Sequence, residues 1–196
     1  MKKNNQEIYD PTPTLDYDAI KRLQRLERRE IFLMDEIDCA SVGDAIEDIL
    51  FLEAKDKEKP IALYLSSPGG SVGDGFALID IMLNCKCPIK VIAIGEIASM
   101  ASAIYIVGTK GMRLIGKNAW IMFHPISQDM REDYVKFQKS RVLQAEDLQK
   151  QYEEIVFKHT EIPKDIYNKS RDAELWLPAA EAIKYKIADD YYRGRQ

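Results

Sequence analysis

The chain has 196 residues, a formal net charge of −4, 46% hydrophobic residues and 31% charged residues, which is typical of a soluble globular domain. Acidic and basic residues are mixed along the sequence, and this argues against a nucleic-acid or anionic-membrane partner. No apolar run is long enough to span a bilayer, and the polar N-terminus does not have the pattern of a signal peptide.

The predicted elements alternate between strand and helix. Residues 1–16, which include two prolines, are predicted to be a flexible arm, and residues 17–196 a single domain. Hydrophobic spacing predicts helices at 17–29, 41–54 and 73–84, with Ser41 as an N-cap. It predicts strands at 31–34, 61–66, 88–95, 112–116 and 120–124, and a helix of small residues at 98–108. This order predicts an α/β fold with parallel βαβ crossovers.

Residues 130–158 have a different character. They contain no Gly or Pro, are dense in charge, and carry apolar residues, among them Phe137, Val142 and Tyr152, every three or four positions. This spacing predicts one long amphipathic helix. The helix either caps the domain or lies at an interface between subunits. After it come a helical turn, a short helix and a terminal strand.

The three cysteines predict a reduced protein. Cys85 and Cys87 are too close for an easy disulfide, and no second pair accompanies them to bind zinc. With Cys39 the total is odd. We therefore expect free thiols, no metal, no other cofactor and a cytoplasmic location.

Four residues between positions 69 and 124 could carry chemistry. Ser99 stands where a predicted strand turns into a helix, so the helix N-terminus would favour negative charge near its hydroxyl. His124 ends a buried strand, and Gly69 and Gly70 form a turn that lets backbone N–H groups approach a ligand. Taken singly, each has a simpler structural explanation: a small packing residue, a core histidine and a tight turn. Together they are the parts that acyl transfer on a serine requires.

The blocks SSPGGSVGDGFALIDIM, IGEIASMASAIYIVGTKGMR and IMFH, in this order, resemble the proteolytic subunit of the Clp protease. The resemblance covers nearly the whole chain from about Tyr17. It implies a crotonase-like fold in which 130–158 is a projecting handle helix, and it favours an oligomer interface for that helix.

The resemblance also implies roles for individual residues. Ser99 corresponds to the nucleophile and His124 to the general base, and the backbone N–H groups of Gly70 and Met100 correspond to the oxyanion hole. An extended substrate peptide would pair as an added strand beside this glycine-containing turn. The residues placed there are Gly69, Gly70, Ser71 and Val72.

The family's catalytic triad consists of the serine, the histidine and an acid, and the acid departs from the family pattern in this sequence. The family places an aspartate two residues before an aromatic residue, which here is Trp176, so Glu174 stands in its place. A glutamate is able to orient a histidine, although its side chain is one methylene longer. Asp172 is the competing candidate, and a site without a functional acid is the third alternative.

The resemblance implies a ring that degrades peptides or unfolded proteins as part of protein quality control. A heptamer is expected, while a double ring of fourteen subunits and docking of an AAA+ unfoldase stay open. The segment from His124 to Arg131 lacks the family's glycine-containing strand, and the N-terminal arm lacks its apolar stretch.

Three functions follow from the sequence. The first is a serine endopeptidase that uses Ser99 in a self-compartmentalised ring. The second is a weak or inactive structural subunit that regulates an active paralogue, motivated by Glu174 and by the altered segment after His124. The third is a crotonase-type acyl-coenzyme A enzyme, which would not require the pairing of Ser99 with His124.

Overall fold

The computed structural model describes residues 17–127 and 135–194. The strands in these ranges are β1 (Glu30–Leu33), β2 (Ile61–Ser67), β3 (Ile89–Ala98), β4 (Arg113–Ile115), β5 (Trp120–Phe123), β6 (Leu175–Pro178) and β7 (Asp190–Tyr191). The helices are α1 (Tyr17–Glu27), α2 (Cys39–Lys55), α3 (Val72–Asn84), α4 (Met100–Ile106), α5 (Val135–His159), α6 (Lys164–Tyr167) and α7 (Ala179–Lys184), with a 3₁₀ turn at Asn168–Arg171. The predicted arm, residues 1–16, lies outside the described ranges.

The strands form one mixed sheet with helices packed against it. Its main path runs β1-β2-β3-β4-β7, and all of these pairings are parallel, as the alternation of strand and helix predicts. The long strand β3 has two neighbours, because β4 pairs with its first half and β5 with its last three residues. Strand β6, which the hydrophobic pattern did not predict, adds to β5 in the antiparallel direction.

Helix α4 lies in the centre of the core. Each of its residues from Met100 to Ile106 is buried, which explains why this segment is apolar on every side and rich in small residues. The central strands β2 and β3 supply fully buried residues such as Leu63, Leu65 and Val91. The residue just before α4 is therefore held by a rigid part of the molecule.

Helix α2 begins at a different residue from the one predicted. Ser41 was predicted to be the N-cap, but the cap is Asp38, whose carboxylate accepts a hydrogen bond from the Ser41 N–H at 2.8 Å. The Ser41 hydroxyl in turn accepts one from the Asp38 N–H at 3.1 Å. The two residues form a capping box, so the helix starts three residues earlier than the serine alone suggested.

Helix α5 matches the long helix predicted at 130–158, and the first five predicted residues lie outside the described ranges. Its C-terminal half carries Tyr152 and Val156, which are buried against the body of the protein. Its N-terminal half leaves Phe137, Val142 and Leu143 exposed. Among the helices described, none combines the length and apolar character needed to cross a membrane.

The three cysteines are free thiols, as predicted. Burial is the main factor that raises the pKa of Cys85 to about 11, and the proximity of Cys87 and Glu53 adds to it. Because the thiolate is the reactive form of cysteine, Cys85 is a poor nucleophile at neutral pH.

Candidate active site

Ser99 occupies the junction between β3 and α4 in an unusual backbone conformation. Its φ of 54° and ψ of −125° lie in a region that non-glycine residues rarely adopt, and such geometry costs about 1–3 kcal/mol and concentrates at functional sites. The Ser99 N–H donates to the Met122 carbonyl oxygen at 3.0 Å, which ties the turn to β5. The Ser99 side chain does not cap α4.

Gly69 packs directly against this turn, and Gly70 packs against Ile37. Their φ values are 97° and 146°, in the left-handed half of the map that favours glycine. A Cβ at Gly69 would lie 2.6 Å from the Ser99 Cβ and 2.8 Å from the Ala98 carbonyl oxygen, and one at Gly70 would collide with the Ile37 carbonyl oxygen. A glycine at position 69 therefore allows this turn to approach Ser99 closely, and a glycine at position 70 allows it to approach Ile37.

Within residues 17–127 and 135–194, two backbone N–H groups at this junction have no hydrogen-bond acceptor. The neighbours of Gly70 are engaged, because Ile37 N–H donates to the Gly69 oxygen and Ser71 N–H donates to the Ile37 oxygen. The Gly70 N–H itself donates to none of the residues described. Met100 is the first residue of α4, so its N–H has no acceptor within the helix either. These are the two groups predicted to form an oxyanion hole.

His124 follows β5 directly and is partly buried. The parallel pairing of Ala98 with Met122 sets the carboxyl ends of β3 and β5 side by side, which brings His124 to the same edge as Ser99. A small cavity of about 40 Å³ is lined by residues of both segments. The lining residues are Gly70, Val72, Ser99, Met100, His124, Ile126, Ser127 and Tyr152.

Ser71, predicted to contact substrate, has structural partners. Its hydroxyl caps α3 by accepting a hydrogen bond from the Asp74 N–H at 3.3 Å, and its N–H is bound to Ile37. Gly69 is buried, and its N–H donates to the Ser67 hydroxyl at 3.1 Å. Of the turn residues predicted to contact substrate, Gly70 and Val72 reach the cavity.

The register of β5 and β6 bears on the third triad member. Phe123 pairs with Leu175, so one further step of the antiparallel register sets Glu174 opposite His124. Asp172 is two residues farther away, at the end of the 3₁₀ turn. The backbone thus favours Glu174 over Asp172 as the residue nearest to His124.

The Glu174 side chain, however, has another partner. Its carboxylate accepts a hydrogen bond from the indole N–H of Trp176 at 2.9 Å and is exposed to solvent. No hydrogen bond joins Glu174 or Asp172 to His124 within the described chain. The structure therefore brings Ser99, His124 and the two N–H groups together and leaves the acid outside this group.

Two further residues of the site were not identified from the sequence. The Ser99 carbonyl oxygen accepts hydrogen bonds from the Tyr152 hydroxyl at 3.0 Å and the Ser102 hydroxyl at 2.6 Å. Tyr152 was interpreted as one of the apolar positions of the long helix, and Ser102 as a small packing residue. The available signal was that Tyr152 carries a hydroxyl on an otherwise apolar face of α5.

Comparison with protein-family models identifies the family. The model described as Clp protease matches residues 14–194. This range begins within the predicted arm, ends beyond β7 and includes all of the strands and helices given above. The chain belongs to the Clp protease family.

Proposed function

We propose that this chain is a serine endopeptidase that hydrolyses peptides and unfolded proteins through an acyl-enzyme on Ser99. The observation that supports the proposal is the cavity in which the Ser99 turn, His124 and the N–H groups of Gly70 and Met100 meet, since neither N–H has an acceptor in the described part of the chain. Membership of the Clp protease family supports peptidase chemistry at this place. The function rests on this convergence, since each residue alone also has a structural explanation.

The proposed reaction begins with attack of the Ser99 hydroxyl oxygen on the scissile carbonyl carbon while His124 takes the hydroxyl proton. The carbonyl oxygen becomes an oxyanion, to which the N–H groups of Gly70 and Met100 donate. His124 then gives the proton to the departing amine, which leaves an ester on Ser99. A water molecule, deprotonated by His124, hydrolyses the ester and restores the serine.

In this proposal Glu174 is the acid that orients His124 and stabilises its protonated form. The register sets it opposite His124, but its carboxylate must first leave the Trp176 indole. Because Phe123 and Leu175 are the last paired residues of the β5–β6 ladder, the proposal requires the Glu174 side chain to rotate toward His124. Active sites in the free state often carry such incomplete hydrogen bonding.

We further propose that the enzyme works as a ring. Members of this family form oligomeric rings and act on protein substrates. The apolar side chains that the N-terminal half of α5 leaves exposed, Phe137, Val142 and Leu143, fit a helix that other subunits cover. In this proposal α5 is the handle of a crotonase-like single domain, the ring is a heptamer in the cytoplasm, and enclosure of the sites limits cleavage to unfolded or short chains.

The alternative is a weak or inactive ring subunit that modifies an active paralogue. The observation that favours it is the engagement of Glu174 by Trp176, which leaves His124 without an acid partner among the residues described. A peptidase reacts covalently at Ser99 at a substantial rate, whereas a weak subunit reacts slowly and an inactive one does not react.

The experiment is hydrolysis of a fluorogenic peptide and of unfolded casein by the purified full chain, with light scattering to determine the particle mass. Ser99→Ala is the control for contaminating proteases. Cleavage by a ring-sized particle that disappears in Ser99→Ala supports the proposal. An intact ring that cleaves neither substrate would contradict it and favour the structural subunit.

A further inference from the structure

The carbonyl oxygen of Ser99 lies in a buried cluster of hydroxyl groups. Besides the bonds from Tyr152 and Ser102, it accepts a hydrogen bond from the Ser102 N–H at 3.0 Å. The Tyr152 and Ser102 hydroxyl oxygens are themselves 2.7 Å apart. Ser102 is 0% exposed and Tyr152 is 3% exposed, so water does not compete for these groups.

The two hydroxyl protons of this cluster can be arranged in three ways. Three oxygen atoms lie within hydrogen-bond distance of one another, and only two hydroxyl protons are available for them. In the first arrangement, Tyr152 and Ser102 both donate to the Ser99 oxygen; in the second, Ser102 donates to the Tyr152 oxygen and Tyr152 to the Ser99 oxygen. In the third, Tyr152 donates to the Ser102 oxygen and Ser102 to the Ser99 oxygen. In each arrangement the Tyr152 proton is part of the cluster that holds the Ser99 oxygen. Burial raises the pKa of Tyr152, so this phenol stays protonated and remains a donor throughout the neutral range.

The peptide group after Ser99 joins this cluster to the proposed oxyanion hole. The Ser99 C=O and the Met100 N–H belong to one planar, trans unit and point in opposite directions. A donor that fixes the oxygen therefore fixes the direction of the N–H on the other side. A hydrogen bond to the oxygen also polarises the peptide group and strengthens the N–H as a donor.

We propose that Tyr152 is a positioning residue for catalysis: through the Ser99 carbonyl it aims the Met100 N–H at the oxyanion. This inference rests on the proposed function, since it assigns a role within the same site. Tyr152 belongs to α5 and the serine turn to the β3–α4 junction, so the hydroxyl also makes the long helix part of the catalytic geometry. Ser102 assists from α4.

Tyr152→Phe is the test, because it removes one hydroxyl and keeps the ring. Tyr105→Phe is the matched control: Tyr105 is also buried, it lies on α4, and its hydroxyl has no hydrogen-bond partner in the part of the chain described. We expect Tyr152→Phe to lower kcat for a fluorogenic peptide about tenfold, less than the loss of a whole oxyanion donor. We expect KM of Tyr152→Phe to stay within about twofold of the wild-type value, and Tyr105→Phe to leave both kcat and KM unchanged.

A second readout separates positioning from packing. A peptide boronate forms a tetrahedral adduct with the serine whose oxygen occupies the oxyanion hole. We expect Tyr152→Phe to weaken boronate inhibition by the same factor as it lowers kcat/KM. If Tyr152 had a purely structural role, the substitution would lower the melting temperature, and the loss of boronate affinity would not match the loss of kcat/KM. Unchanged kcat and boronate affinity in folded Tyr152→Phe would overturn the inference.

The orientation of the Met100 amide can also be measured without catalysis. In protein labelled with ¹⁵N-methionine, we expect the Met100 amide resonance, assigned with Met100→Leu, to move in Tyr152→Phe and to stay in Tyr105→Phe. If the wild type neither cleaves peptide nor binds the boronate, the proposed function fails and this resonance alone decides the positioning inference. A Met100 resonance that does not respond to Tyr152→Phe would refute it.

Discussion

Gly69 offers a sharp test of the contact between the glycine turn and Ser99. In Gly69→Ala the new Cβ would lie 2.6 Å from the Ser99 Cβ, about 0.8 Å short of ordinary contact at 3.4 Å, and the φ of 97° is strained for alanine. Backbone strain of about 1–3 kcal/mol and overpacking of about 1–3 kcal/mol together predict a loss of about 2–6 kcal/mol in the free energy of unfolding.

The same substitution should impair the nucleophile. Because a displacement of about 1 Å can cost about 10²-fold in rate, we expect the labelling of Ser99 by a fluorophosphonate to slow by about that factor in the folded variant. The assays are chemical denaturation, followed by circular dichroism, and the second-order rate of labelling, followed by mass spectrometry.

Gly43→Ala is the matched control, since no atom lies within 4 Å of a Cβ there and the residue is inside α2. Alanine in place of a helical glycine should stabilise the protein by about 0.5–1 kcal/mol and leave labelling unchanged. Folded Gly69→Ala that labels at the wild-type rate would refute the claim that this glycine supports the serine turn.

Two further predictions concern carboxylates. Trp176→Phe removes the indole donor from Glu174. Because the Glu174 carboxylate is then free to turn toward His124, we expect peptidase kcat to rise. A fall in kcat would show instead that the indole holds the acid in its productive position. Asp189→Asn leaves the nearly buried Arg113 without its carboxylate partner and should lower the free energy of unfolding by about 3 kcal/mol. Asp147→Asn is the control: it removes a carboxylate from an exposed ion pair and should lower the free energy of unfolding by less than about 1 kcal/mol. Burial opposes ionisation of Asp189, but hydrogen bonds from Arg113 outweigh burial, so the pKa of Asp189 is lowered. The ionised carboxylate therefore contributes its full stabilisation above the unfolded pKa of 3.8. This stabilisation disappears as the pH falls through the lower pKa of the folded state. A pH titration of unfolding in which Asp189→Asn lost as much stability on acidification as the wild type would contradict this assignment.

The sequence predicted those parts of the fold that hydrophobic periodicity controls. The apolar runs at 61–66 and 88–95 became the central strands β2 and β3, and the parallel pairing followed from the helices between them. The position of Ser99 at a strand-to-helix turn was also correct, because the change from a strand to a segment of small residues is visible in the sequence itself.

What the sequence did not predict depends on contacts between distant residues. Strand β6 has four residues and ends in Pro178, too short a run for any alternation to be recognised; it exists because β5 offers it an edge. The bond from Tyr152 to Ser99 joins residues 53 positions apart, and helical spacing alone assigns such a tyrosine to packing. The hydrogen bond from Trp176 to Glu174, which immediately precedes β6, likewise depends on side-chain geometry that the spacing of residues does not reveal.

The most direct test of the central claim is the intact mass of the full-length protein after treatment with a fluorophosphonate, followed by peptide mapping. We predict one phosphonyl group per chain, located on Ser99, with none added to Ser99→Ala and labelling strongly slowed in His124→Ala. If Ser99 of the folded protein stays unmodified while a known serine hydrolase in the same tube is fully labelled, Ser99 is not the nucleophile of a serine peptidase.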